Sequence, residues 1–491
     1  MCAESPINMS KVTVDPLWAL RITPQLAHRK QLLPLTEIDG KILVATSVAN
    51  NQTAARSLEK NFGKPVQFEL ADPESLTKAI DEIYGNRSQA LMASAQRIEV
   101  VDGIADEMVE LGNKILDAAI LRQASDVHID PDKDKFEIRL RVAGDIEAFD
   151  SLPMTQHGAL LSRLKVLANL DIAEKRAPQD GSMVHRFQGT GVSVDIRVAT
   201  IPTKHGEKMT MRLLGMRADK LTLENLGMST EHIQMFRKSI AQPHGMILVT
   251  GPTGSGKSTT FYAALREIQK EITRTIITIE DPVEYDLAGI NQVQVDEGKV
   301  TFAKALRSVL RHDPDVVMVG EIRDRETAEI AVTAAMTGHL VLSTLHTNSA
   351  ASAVTRLLNM GLEPYLLSAV LRLSIAQRLV RQLCTECAKP YTVSEEQAFA
   401  LGDRSLAGAT AYHPVGCKYC ANRGFRGRVG LFEFLALDDG FRSIIREGMV
   451  ENELLEKMVD CSIGTLREDG LAKALAGSVP LSEVIRVTTI L

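Results

Sequence analysis

The spacing of apolar and polar residues changes several times along the chain, and the changes divide it. Ile42 to Ala45 (ILVA) follows the turn Asp39-Gly40 and predicts a strand. Asp72-Pro73-Glu74 opens a helix, with Asp72 as N-cap and Pro73 at the first helical position. Leu76, Ile80 and Ile83 form its apolar stripe and Gly85 ends it. A mixed polar stretch over 86–102 reads as a linker. Ile104, Met108, Leu111, Ile115 and Ala119 then recur at helical spacing. DVHID (126–130) and FEIRLRV (136–142) alternate about the turn PDKDK, which predicts a hairpin with one wet face. His128 reads as a surface histidine on that face. VSVDIRV and EKMTMRLL, within 192–214, continue as strands around Pro202 and Gly206 and bring Arg197 near Arg212. Beyond residue 226 short apolar runs at 246–249, 276–279, 316–319 and 340–343 alternate with helix-like stretches at 259–270, 301–311, 324–336 and 349–359. Such alternation predicts a mostly parallel sheet with helical crossovers. Leu366 to Leu383 (LLSAVLRLSIAQRLVRQL) has a helical pattern, with Arg372, Arg378 and Arg381 facing solvent or an acidic partner.

A chain of 491 residues suits about three domains. The expected division is an N-terminal α/β docking module (1–85), a linker (86–102), an α+β domain (103–225) and an α/β domain (226–491). Net charge is −6, so no basic field argues for direct contact with nucleic acid. No apolar run approaches the ~18 residues that span a bilayer, and MCAESPINMSK has no signal-peptide core. The expectation is a cytoplasmic protein whose membrane association is indirect.

Candidate chemistry centres on MILVTGPTGSGKST (246–259). Gly251, Gly256, Lys257 and Ser258 fit the phosphate-loop pattern G-x-x-x-x-G-K-[ST]. Gly251, Pro252, Thr253, Gly254, Ser255, Gly256, Lys257, Ser258 and Thr259 are therefore the expected ATP-binding residues. Lys257 would meet the β- and γ-phosphates, and the Ser258 hydroxyl would hold Mg²⁺. Strand ends carry the rest. Glu280 follows one, Glu321 a second, and His339 and His346 flank a third. Glu321 is the candidate to orient or deprotonate the attacking water. Glu280 would hold Mg²⁺ through a water or help place the nucleophile, and both histidines would sense the γ-phosphate. Cys384-x-x-Cys387 and Cys417-x-x-Cys420 are two knuckles suited to tetrahedral Zn²⁺, with an inserted lobe at about 384–420.

Taken together these residues resemble the traffic ATPases of type II secretion and type IV pilus assembly, the GspE/PulE group. GPTGSGKST (251–259) matches the Walker A motif, and ITIEDPVE (277–284) the family's Asp box. LRHDPDVVMVGEIRDRETAEIA (310–331) matches its atypical Walker B, and TGHLVLSTLHTN (337–348) its His box. SDVHIDP (125–131) and EKRAPQDG (174–181) match the preceding domain, although Ser182 stands where relatives often carry Arg. The four cysteines match the zinc lobe of the secretion and assembly branches. The resemblance implies a RecA-like core after a PAS-like domain, and a homo-hexamer with ATP between the two. Arg197 and Arg212 stand where the family's arginines reach the phosphates. It also implies docking by the N-terminal module on inner-membrane platform proteins, and ATP hydrolysis that drives pseudopilus assembly and protein export. A type IV pilus assembly motor is the alternative within the family. A RecA-type nucleic-acid motor and a nucleotide-gated scaffold without turnover are the alternatives outside it. The N-terminal module lacks an RLG-type signature, so no cyclic dinucleotide is expected there.

Overall fold

The computed structural model describes residues 6–48, 52–85, 103–187, 191–215, 221–270, 273–284, 286–296 and 298–489; the linker expected at 86–102 lies outside them. Contacts divide the chain into two units. The first is Met1–Met216 with Cys384–Ala388 and Pro414–Arg426. The second is Arg217–Leu383, Lys389–His413 and Gly427–Leu491.

The first unit opens with strands β1 (Leu32–Ile38), β2 (Lys41–Thr46) and β3 (Val66–Leu70) in one sheet. The helix Pro73–Tyr84 buries Leu76, Ile80 and Ile83, and Asp72 caps it by accepting from the Ser75 amide. Next come the helix Gly103–Leu121, β4 (Ala124–Pro131), β5 (Lys135–Val142), β6 (Asp145–Pro153), the helix Met154–Leu167, β7 (Gln179–Arg186), β8 (Ser193–Thr203) and β9 (Gly206–Leu214). These strands form one antiparallel sheet in the order β6-β5-β4-β9-β8-β7. Val127, Ile129, Ile138, Leu140, Ile196, Val198, Met209 and Met211 line its buried face and pack with residues of both helices. Charged residues alternate with them on the other face, as a half-wet antiparallel sheet requires.

The second unit holds β10 (Gly245–Thr250), β11 (Ile276–Glu280), β12 (Asn291–Gln294), β13 (Val316–Val319), β14 (Leu340–Leu345), β15 (Leu371–Leu383), the short pair β16 (Lys389–Thr392) and β17 (Thr410–His413), and β18 (Phe425–Ala436) from Gly427 onward. The seven-stranded sheet runs β12-β11-β13-β14-β10-β15-β18. Its pairs from β12 through β15 are parallel. The helices Lys257–Gln269, Phe302–Val309, Arg325–Met336 and Ala350–Asn359 connect them. This is an α/β fold of the P-loop kind.

Three expectations change. Leu366–Leu383 is not one helix: a short helix ends at Val370, and β15 pairs in parallel with β10. Leu373, Ile375 and Ala376 are fully buried, and burial on both faces of a central strand removes the alternation that would mark it. The break between the last two domains falls before residue 221 rather than at 225, because Leu223 is fully buried in the core around β10. Both cysteine knuckles group with the first unit rather than with the seven-stranded sheet that flanks them in sequence.

Candidate functional site

β10 is buried along its whole length and delivers the chain to the phosphate loop at its carboxyl end. Gly251 has φ 151°, and a side chain there would meet the Gln377 carbonyl oxygen at 2.5 Å. Gly256, at φ 91°, precedes the helix Lys257–Gln269 and gives it no side-chain cap. The first amides of that helix thus remain directed at the loop, which is the arrangement that holds a phosphate. Lys257 Nζ donates to the Gly251 carbonyl at 2.7 Å and to that of Pro252 at 3.2 Å. Burial pushes its ammonium down to about 8, against a pull from Glu321 and with a further push from Arg378. Ser258 lies exposed on the first helical turn.

Glu321 follows β13, two strands from the phosphate loop. Arg323 Nη2 donates to its Oε1 at 2.5 Å, and His346 Nε2 lies 3.3 Å from its Oε2. Burial opposes its charge, yet Arg323, His346 and Lys257 hold the carboxyl below its ordinary range. His346 follows β14 and is half exposed (49%). Thr250, at the end of β10, ties this corner together by donating to the Leu345 carbonyl at 3.1 Å and accepting from the Thr347 amide at 2.9 Å.

Two expected residues stand differently. His339 precedes β14 at the opposite end of the sheet, where its carbonyl accepts from the Gly245 amide. The strand carries it roughly 20 Å from the phosphate loop at ~3.3 Å per residue. Its Nδ1 meets the Ala334 carbonyl at 2.9 Å, a bond that ends the preceding helix. Of the two histidines, only His346 lies at the corner shared by Glu321 and the phosphate loop. Glu280 is 3% exposed and fully engaged by protein donors. It accepts from the Tyr262 hydroxyl, from Thr278 Oγ1 at 2.5 Å and from Gln292 Nε2 at 3.1 Å. Tyr262 belongs to the helix after the phosphate loop, so Glu280 anchors that helix to β11 rather than facing open solvent.

Arg197 and Arg212 are direct cross-strand partners on β8 and β9. Asp126, next in the row on β4, accepts from Arg212 Nε at 3.0 Å, with Arg141 Nε 3.7 Å away from it. The row is a ladder of guanidiniums around one nearly buried carboxylate. Arg212 keeps 63% of its side chain exposed.

Cys384, Cys387, Cys417 and Cys420 bring their sulfurs within 4.8 Å of one another. Cys384–Cys417 and Cys387–Cys420 are 3.9 Å apart, and Cys417–Cys420 3.8 Å. A metal–sulfur bond of about 2.3 Å gives a tetrahedron with edges of about 3.8 Å. The donor set therefore fits a four-coordinate metal. Amides of Cys417 and Gly424 donate to Cys420 Sγ at 3.3 and 3.1 Å, as thiolate ligands require.

Residues 104–486 match the family described as type II/IV secretion system protein. The chain belongs to that family. Residues 6–90 also match the MshEN domain. The type II secretion system protein E of Dickeya dadantii is 50% identical over 94% of this chain and 96% of its own length. The type IV pilus assembly ATPase PilB of Myxococcus xanthus is 40% identical over 98% of this chain and 88% of its own. Among solved structures, the pilus retraction motor PilT with bound ADP is 28% identical, with a TM-score of 0.54 over 77% of this chain and 97% of that one.

Within this secretion-system family member, the structure adds one residue that sequence reading passed over and gives partners to two that it named. Gln377, on β15, is 2% exposed and accepts from the Thr260 hydroxyl at 2.7 Å, which locks the helix after the phosphate loop to the strand. Arg378 donates to the Asn348 carbonyl at 3.0 Å and bears electrostatically on Lys257. Arg381 is bound within its own unit, to Glu483. The helical reading of 366–383 passed over Gln377, and it named Arg378 and Arg381 without their partners. A strand here, beside the phosphate loop, brings Gln377 to the loop itself.

Proposed function

We propose that the chain hydrolyses ATP as the motor of a type II secretion system. The observation that carries this reading is the 50% identity, along nearly the whole of both chains, to the Dickeya dadantii type II secretion system protein E. In this proposal ATP and Mg²⁺ occupy the loop Gly251–Thr259, with Lys257 on the phosphates and Ser258 on the metal. Glu321 stays ionised at neutral pH because its partners hold its carboxyl low. A carboxylate of low basicity serves better to orient the attacking water than to take its proton outright. His346, 3.3 Å from Glu321, reports on the γ-phosphate position. Arg197 and Arg212 meet the phosphates bidentately from the α+β domain. Glu280 positions rather than coordinates. The four cysteines hold Zn²⁺, which supplies a structural crosslink and no chemistry. The working form is a homo-hexamer on the cytoplasmic face of the inner membrane, docked on platform proteins through residues 6–85. No helix among the described residues is long and apolar enough to cross a membrane.

A type IV pilus assembly motor is the second reading, favoured by 40% identity to the Myxococcus xanthus PilB. One experiment separates them. The gene is deleted in its host, and exported protein and surface pili are measured with and without the restored wild-type copy. Loss and recovery of export with unchanged pili supports the proposal; the reverse pattern overturns it.

A further inference from the structure

Within the first unit, three stretches far apart in sequence meet through charged groups. Arg122, 9% exposed, ends the helix Gly103–Leu121 and donates to Asp15 Oδ1 at 2.6 Å. Its other terminal nitrogen lies 3.5 Å from Glu147 of β6. Glu147 also takes Arg423 Nη2 at 3.1 Å. The result is a run Asp15–Arg122–Glu147–Arg423 that alternates in sign and joins the N-terminal module, the six-stranded sheet and the segment just after Cys420. A second set of contacts lies beside it. Lys418 Nζ reaches Glu69 Oε2 of β3 at 2.5 Å. The Thr13 amide donates to the Tyr419 carbonyl at 3.0 Å, and the Tyr419 ring packs on the module's apolar core.

Lys418 and Tyr419 are the two residues between Cys417 and Cys420. Their positions follow from the turn that brings those sulfurs together. Four thiols at these separations hold one another only weakly, whereas a shared cation fixes all four. The surface that meets the module is thus shaped by the metal site beneath it. Lys418 makes it basic where Glu69 of the module is acidic, and Arg423 beside it takes Glu147 of β6 in the six-stranded sheet.

We propose that the four-cysteine lobe is a clasp: Lys418 and Tyr419 form the docking surface for the chain's own N-terminal module, Arg423 ties the lobe to the adjacent sheet through Glu147, and the bound metal keeps that surface in shape. The metal half rests on the zinc reading given above; the docking half does not. The experiment uses the full chain, with zinc content measured first and amide hydrogen exchange read at Thr13. Exchange under native conditions tracks the opening of the contact. Stripping the metal with a chelator under reducing conditions is expected to speed exchange at Thr13 by about tenfold or more. In the metal-loaded protein Lys418→Glu, which sets two carboxylates together, is expected to do the same. Lys418→Glu combined with Glu69→Lys restores the opposite-sign pair and most of the protection. Unchanged exchange in Lys418→Glu overturns the docking surface. Unchanged exchange after the metal is shown to be gone overturns metal control. A protein isolated without metal, whose Thr13 still responds to the two charge variants, overturns the zinc reading and leaves the docking surface supported.

Discussion

At the scale of single residues, the nucleotide corner turns on the charge of two groups. Lys257 sits near 8 because burial penalises its ammonium, whereas bound phosphates favour the charged form. Below that pH the lysine is already charged, so affinity should be flat. Above it, each binding event must take up a proton, so affinity should fall as pH rises, by at most about tenfold per unit. Calorimetry in buffers of unlike ionisation enthalpy checks this: proton uptake is expected at about pH 9 and should vanish at about pH 7. Glu321→Gln keeps shape and loses charge. ATP affinity should stay within about tenfold, while turnover falls by ~10² or more, the scale of a lost water-positioning group. Equal losses in both would assign Glu321 a structural role. Much of this corner was legible in the sequence, because the loop's glycines and lysine are dictated by phosphate geometry. The two histidines were not separable there. His339 and His346 bracket one apolar run, and only the direction of β14 tells which end faces the loop.

Among elements, β15 decides most. It is the strand beside β10 that carries Gln377 to the loop helix, and its far end is held by Glu483 of the helix Leu481–Thr488. Glu483 accepts from the Arg381 amide at 3.1 Å, from Arg381 Nη2 at 2.7 Å and from Arg486 Nη2 at 2.8 Å. Although burial opposes its charge, these donors bring its carboxyl down to about 2. An unfolded glutamate titrates at about 4.3. The folded value is the lower one, so the stabilisation is complete above the unfolded value and is lost as pH falls toward 2. Acid unfolding of the parent should therefore steepen across that window. Glu483→Gln should lower the melting temperature at neutral pH and flatten the acid dependence between about pH 4.5 and 2; an unaltered acid profile would count against this clamp. Sequence periodicity found the crossover helices well, because each buries one stripe. It missed β15, whose buried centre has no wet face, and β6, whose charges reveal little alternation.

For the whole molecule, the question is how hydrolysis is tied to movement. Arg197 and Arg212 lie in the first unit and the phosphate loop in the second. If the two units act together, Arg212→Ala should leave ATP affinity within about tenfold and cut turnover by ~10² or more, as arginine fingers do. Single-turnover and binding measurements on the full chain decide it, and parental turnover in both Arg212→Ala and Arg197→Ala would place all the chemistry in the second unit. The strand pattern in the sequence already brings Arg197 near Arg212, and the register sets the two directly opposite each other. The division of the chain has one more consequence, and it concerns inheritance. The polypeptide leaves the second unit at Leu383, lends both knuckles to the first, and is back for good at Gly427. No single cut in the gene parts the two units cleanly. A recombination that replaced only the leading module would leave the old Lys418 and Tyr419 facing a new surface. Among relatives, the first 85 positions and the stretch 384–426 should therefore change hands together or be altered in step, and an alignment deep enough to score paired changes at 69 and 418 would reveal whether they do.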